Sequence, residues 1–194
     1  MTGLDGLLGE IRACRACAAH LPLGPRPVVV ASASARVVIV GQAPGTKVHR
    51  SGIPWDDASG DRLRSWMGID RAMFYDRGRV AIIPQGFCYP GRGKGGDLPP
   101  RPECVRLWHP RLFPLLPRVE MLVLVGSYAQ TYHLGPAAKR SLTETVRAWR
   151  DYLPRYLPLP HPSWHNNRWL ADNPWFSAET VPAFRAAVAR LIAA

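Results

Sequence analysis

The sequence predicts an α/β fold, a single-domain three-layer sandwich with a central four-stranded parallel sheet. Three observations predict it. Four short apolar runs are spaced along the chain, and each ends in loop residues. Stretches of helical periodicity fall between them. The 194 residues, 47% of them hydrophobic, suffice for one full core. One domain over residues 1–194 is therefore expected.

The strands are expected over Arg36 to Gly41 (RVVIVG), Arg79 to Ile83 (RVAII), Glu120 to Gly126 (EMLVLVG) and Tyr156 to Pro160 (YLPLP). Their apolar character suits strands buried on both faces. Helices are expected over Asp61 to Met67, Pro102 to Leu116, Ser127 to His133, Leu142 to Tyr152 and Val181 to Ala193. Strand alternating with helix places helices on both sides of the sheet. In such sheets ligands sit beyond the carboxyl ends of the strands, so chemistry is sought after Val40, Ile83, Val125 and Leu159.

The chain carries 25 Lys and Arg against 14 Asp and Glu, a net charge of +11, and only three of the 25 are lysine. That balance favours a polyanionic partner, nucleic acid before a membrane surface. Arginine richness also follows genomic base composition, so charge alone leaves the partner open. No apolar run approaches a membrane span, and Met1 to Arg12 carries acids without a basic start and apolar stretch. A cytoplasmic protein is expected.

The four cysteines fall as Cys14, Cys17, Cys88 and Cys104: a Cys-x2-Cys pair, a gap of 70 residues, then two more separated by 15. A disulfide between Cys14 and Cys17 would close a very small, strained loop, so a metal is the better reading. Zinc and a [4Fe–4S] cluster fit four thiolates equally well, and spacing does not choose between them. The bland alternative is four unrelated buried thiols. Cys88 and Cys104 bracket the longest irregular stretch, Pro84 to Pro102, which holds Tyr89-Pro-Gly-Arg-Gly-Lys-Gly-Gly. A metal tying both ends would turn a costly long loop into a defined surface, with Arg92, Lys94 and Arg101 available to phosphates.

Two further motifs carry chemistry. After the first strand comes Gly41-Gln42-Ala43-Pro44-Gly45, a tight turn whose backbone N–H groups can approach a ligand. Alone it is weak, because Gly-rich turns follow buried strands in many α/β proteins. After the fourth strand comes His161-Pro-Ser163, then Trp164-His-Asn166-Asn167-Arg168. A histidine at a strand's carboxyl end, followed by proline, is placed to donate to a ligand or to stabilise developing negative charge.

Together the cysteine spacing, both motifs and the strand order resemble the uracil-DNA glycosylase superfamily, most closely its iron–sulfur families 4 and 5, over Cys14 to Ser163. The resemblance implies a uracil-DNA glycosylase-like fold and a structural [4Fe–4S] cluster on Cys14, Cys17, Cys88 and Cys104, with zinc the alternative. It implies a base-excision repair enzyme that flips uracil out of DNA and hydrolyses its bond to the sugar. The turn Gly41 to Gly45 matches the water-activating motif. His161 to Ser163 matches the second motif, whose histidine contacts the base carbonyl and whose following loop, Trp164 to Arg168, enters the DNA. Ser51-Gly-Ile-Pro-Trp55 looks like the family's aromatic segment, which gives Trp55 the role of stacking on the flipped base; a core tryptophan is the alternative.

Two departures from the family matter. Family 4 has an acid where this chain has Gln42, so Asp56 or Asp57 is expected to replace it, Asp57 being favoured by its likeness to family 5. Both also fit the first turn of a helix beginning near Ser59, where acids are stabilised by the dipole. Family 4 reads the base edge with an asparagine where this chain has Gln85, so looser selectivity, admitting hypoxanthine or xanthine, is expected. The expected partner is damaged DNA, single- or double-stranded, bound by a monomer associated with a bacterial nucleoid. The alternatives are a catalytically weak or inactive relative that recognises damaged or abasic DNA, a protein bonding covalently to DNA through a histidine, and a hydrolase of free nucleosides.

Overall fold

Residues 3–193 are described by a computed structural model. Met1, Thr2 and Ala194, which the expected domain and N-terminal reading include, lie outside the described residues. The strands are β1 (Val37–Val40), β2 (Val80–Ile82), β3 (Arg92–Gly93), β4 (Gly96–Asp97), β5 (Met121–Val125) and β6 (Tyr156–Leu159). Four of them form one parallel sheet in the order β2-β1-β5-β6. Its register pairs Val37 with both Val80 and Met121, and Leu122 with Tyr156. The four expected strands are present, each trimmed by a residue or two where a loop residue such as Gly41 or Gly126 had been included.

Alternation along each strand builds the three layers, because successive side chains point to opposite faces. Val37, Ile39, Val123 and Val125 pack with Leu63, Trp66, Phe176 and Phe184 on one face. Val38, Val40, Leu122 and Leu124 pack with Leu7, Ile11, Leu112 and Ala129 on the other. Burial on both faces is why these runs read as continuous apolar sequence.

The helices are α1 (Leu4–Arg12), α2 (Thr46–Ser51), α3 (Ala58–Met67), α4 (Arg71–Tyr75), α5 (Pro102–Leu107), α6 (His109–Leu112), α7 (Ser127–Leu134), α8 (Leu142–Arg147), α9 (Asn167–Asp172) and α10 (Val181–Ala193). The single helix expected over Pro102 to Leu116 is instead broken into α5, α6 and a 3-10 turn at Phe113–Leu115. Pro110 and Pro114 remove backbone donors there, and proline favours first-turn positions over helix interiors. The helix expected over Leu142 to Tyr152 likewise ends at Arg147 and passes into a 3-10 turn at Trp149–Tyr152. Helix α3 starts three residues before the expected Asp61, since Asp57 caps it by accepting from the Gly60 N–H at 2.9 Å. No helix among the described residues is long and apolar enough to cross a membrane.

The stretch between Cys88 and Cys104 is not irregular throughout. It folds into an antiparallel hairpin, β3 against β4, with Arg92 opposite Asp97 and Gly93 opposite Gly96.

Candidate active site

The sheet's carboxyl end opens into a cavity of about 470 Å³ lined by the turn Gly41 to Gly45, by Trp55 and Asp57, by His161 and Ser163, and by the β3–β4 hairpin. The turn is a continuation of the sheet. The Gln85 N–H donates to the Gly41 carbonyl at 2.8 Å, and the Gly86 N–H donates to the Gln42 carbonyl at 2.9 Å. Gly41 is glycine for a spatial reason, since a Cβ there would lie 2.9 Å from Cζ2 of Trp55.

Trp55 is held in an unusual conformation, with φ of 57°. A left-handed backbone is costly for a bulky residue and persists where its surroundings over-determine it. Tyr75 donates its hydroxyl to the Pro54 carbonyl at 2.8 Å, and Arg64 donates to the Trp55 carbonyl at 3.2 Å. A Cβ on Gly60 would come within 1.8 Å of that carbonyl oxygen. Arg64 is itself buried, paired with Asp61 at 2.5 Å and lying over the ring of Phe74. The result is an indole stacked on His161, ring centroids 5.6 Å apart at 30°.

His161 accepts from the Ser163 N–H through Nδ1 at 3.2 Å. The neutral ring therefore carries its proton on Nε2, where it is a donor. Burial holds its pKa below the ordinary histidine value, with the Asp57 carboxylate opposing and His165 adding to the shift. A neutral donor facing a cavity can stabilise developing negative charge without first giving up a proton. The loop after it is braced: Asn166 donates to the His161 carbonyl at 2.7 Å, and Arg62 donates to the Ser163 carbonyl and to Asn167 at 3.2 and 2.8 Å. Trp164 stacks on His165 and projects outward, 70% exposed.

The structure thus brings together Gly41 to Gly45, Trp55, Asp57, His161 and Ser163 around one cavity. Other candidates lie off it. Asp56 faces away, in an ion pair with Arg71 at 2.8 Å that lowers its pKa through the guanidinium's hydrogen bond. Gln85 is buried with its side-chain nitrogen unpartnered, and it does not line the cavity. Asn166 and Asn167 spend their side chains on the loop, while Arg168 is exposed beside Asp172 at 3.6 Å. His109 is buried, its Nε2 3.0 Å from the Pro84 carbonyl, also outside the cavity. Sequence reasoning missed Asp97, which the hairpin carries into the lining. The signal was present in Gly-Lys-Gly-Gly, a glycine-rich turn between two short extended pairs.

All four cysteines are free thiols, and Cys17, Cys88 and Cys104 are buried. Cys17 and Cys88 pack with Leu21, while the Phe87 N–H donates to Cys104 Sγ at 3.4 Å. Burial pushes Cys88 up to about 11 and Cys104 up to about 12, and in each the neighbouring cysteines push the same way. That mutual influence reaches from Cys104 to Cys14, Cys17 and Cys88, so the four thiols share one neighbourhood. No group of three or more His, Cys, Asp or Glu side chains that could hold a metal ion occurs among the described residues. Four thiols match the ligand count of a [4Fe–4S] cluster and of a tetrahedral zinc site alike.

The chain matches the family model described as uracil DNA glycosylase superfamily over residues 28–185. The matched span holds the whole sheet, the cavity and the hairpin with Cys88 and Cys104, and it begins after Cys14 and Cys17. With the parallel sheet and the cavity at its carboxyl end, that match establishes that the chain belongs to the uracil DNA glycosylase superfamily.

Proposed function

We propose that this protein is a DNA glycosylase of base-excision repair, which extrudes uracil and other deaminated bases, hypoxanthine and xanthine among them, and hydrolyses the base–sugar bond. The observation that carries the reading is one cavity in which an indole, a neutral histidine donor and a carboxylate face each other: Trp55, His161 and Asp57. Cleavage leaves negative charge on the base and positive charge on the sugar. The Nε2–H of His161 and the backbone of Gly41 to Gly45 are the donors for the base, and Trp55 is the surface on which it stacks. Asp57 keeps one oxygen on the Gly60 N–H, so the carboxylate is fixed in orientation and has a second oxygen for the water or the cationic sugar. Trp164, exposed and stacked on His165, is the group that fills the gap in the base stack.

Gln85 lies off the cavity, so the base edge is read without the amide that the sequence suggested. Loose selectivity follows. The four cysteines are proposed to hold a structural [4Fe–4S] cluster, zinc being the alternative. The cluster, when bound, ties the N-terminal segment to both ends of the hairpin loop. A second reading, recognition of damaged or abasic DNA without catalysis, is favoured by one observation: the Gln42 amide donates to the Leu98 carbonyl at 3.0 Å and brings no carboxylate to the turn.

Single-turnover assays on DNA carrying uracil, hypoxanthine or xanthine, with alkali to reveal abasic sites, separate the two. Release from all three, slowed roughly 10²–10⁴-fold in Asp57→Asn, is the expected outcome. Asparagine caps a helix as well as aspartate does, so the variant keeps its fold. Binding to DNA with no release from any substrate would support the second reading, and release confined to uracil would sink the loose selectivity alone.

A further inference from the structure

Two carboxylates line the cavity, Asp57 and Asp97, and only one of them has been given a task. We infer that Asp97 is a second catalytic carboxylate, the general base for the attacking water, and that Gln42 is the positioning residue that fastens the hairpin carrying it. The inference rests on the glycosylase reading and deepens it.

Placement is the first support. Asp97 ends β4, and its Oδ2 lies 3.3 Å from where a Cβ on Gly45 would stand, so the carboxylate rests against the turn Gly41 to Gly45. The backbone that carries it is fixed on three sides. Arg92 pairs with it across the hairpin, the Leu98 N–H donates to the Gly91 carbonyl at 2.9 Å, and Gln42 donates to the Leu98 carbonyl at 3.0 Å. A neutral amide is no base, but here its donor secures a loop that returns a carboxylate to the same end of the cavity.

Availability is the second support. Asp57 Oδ1 holds the Gly60 N–H, whereas none of the described hydrogen bonds or ion pairs ends on the Asp97 carboxylate. Asp97 is open to the cavity, yet the surrounding protein raises its pKa by partial desolvation, and Arg92 opposes that shift. Arg92 on the hairpin is the charge that acts on it, while Asp57 before α3 and His161 and His165 after β6 line the same cavity, to which α2 turns Thr46 and Val48. Proton transfer is most effective when a base's pKa approaches the working pH, and a raised carboxylate moves in that direction.

Sign assigns the role. Negative charge beside the departing base would oppose cleavage, and beside the sugar and its water it assists. The C1′–N bond breaks with its electron pair leaving on the base, the water oxygen bonds to C1′, and the water's proton passes to Asp97. The base anion, held by His161, takes a proton from solvent, leaving free base and an abasic sugar.

The test is single-turnover release by the full chain across acidic to mildly alkaline pH, for wild type, Asp97→Asn, Asp97→Glu and Gln42→Ala, with DNA binding and circular dichroism measured on each. Asp97→Asn is expected to slow release roughly 10²–10³-fold with DNA affinity and fold unchanged, and to abolish the acid limb of the profile. Asp97→Glu restores part of the rate and the limb. Gln42→Ala lowers the rate about tenfold and keeps the limb, as a positioning residue should. An Asp97→Asn variant that keeps the wild-type rate or limb, or that loses DNA binding or fold instead of rate, overturns the inference and leaves the glycosylase reading standing. A wild type that releases no base overturns both.

Discussion

Trp55 concentrates the site's strain in a single residue. Its left-handed backbone, φ 57°, costs on the order of 1–3 kcal/mol, offset by the bonds from Tyr75 and Arg64 and by the missing side chains of Gly41 and Gly60. If the indole is the platform for the extruded base, Trp55→Ala should slow base release by roughly tenfold to a hundredfold, the equivalent of about 1–3 kcal/mol of stacking. An unchanged single-turnover rate would remove the residue from the site. Gly60→Ala tests the scaffold instead. A methyl 1.8 Å from the Trp55 carbonyl forces that carbonyl aside and breaks its bond from Arg64, so a lowered melting temperature together with slower release is expected. Trp55 itself was legible in Ser51-Gly-Ile-Pro-Trp55, as was His161 in its motif. The choice between Asp56 and Asp57 was not legible, because adjacent carboxylates differ only in which one the backbone turns toward the Gly60 N–H and which toward Arg71.

Among the elements, the β3–β4 hairpin separates what sequence shows from what packing adds. A long glycine-rich connection between two cysteines was plain in the sequence, but its pairing of Arg92 with Asp97 arises only where the loop closes over the turn Gly41 to Gly45. Its base is wedged against the N-terminal segment, since a Cβ on Gly91 would lie 3.2 Å from Pro22, five residues beyond Cys17. The four thiols therefore sit where a cluster would hold the hairpin to the rest of the chain. If the four cysteines hold a cluster, Cys88→Ser is expected to let trypsin cut after Arg92 or Lys94, both exposed, where the wild type resists. Equal cleavage in the two proteins would detach the cysteines from the hairpin's order. The split of the expected Pro102 to Leu116 helix is of the same kind: periodicity saw one apolar face, and Pro110 and Pro114 divided it.

At the scale of the whole molecule, the second layer of the sandwich hides a titratable pair. His109 and His133 stack 6.0 Å apart among Phe87, Phe113 and Tyr132, and burial lowers both from 6.5 to about 4. Their folded-state pKa values lie below the unfolded ones, so the unfolded chain binds more protons between those limits. Stability is full above pH 6.5 and falls as the pH drops toward 4. Thermal melts should show this slope, and His133→Phe should reduce it; an identical slope in the variant would remove His133 from the effect. The net charge of +11 acts at the same scale and favours a polyanionic partner.

Sequence by itself determined the four buried strands, the α/β class, the tight turn after the first strand, the histidine after the fourth and the pattern of four cysteines. Each of these is local: apolar runs, glycine and proline at turns, and thiol spacing follow from neighbouring residues alone. Only the tertiary structure decided that Asp57 faces the cavity and Asp56 does not, that Gln85 is buried away from it, and that Asp97 enters it. Those outcomes depend on which atoms from distant segments come to share space. Gln42 meeting Leu98, and Trp55 lying on Gly41, are contacts that no reading of either segment alone contains.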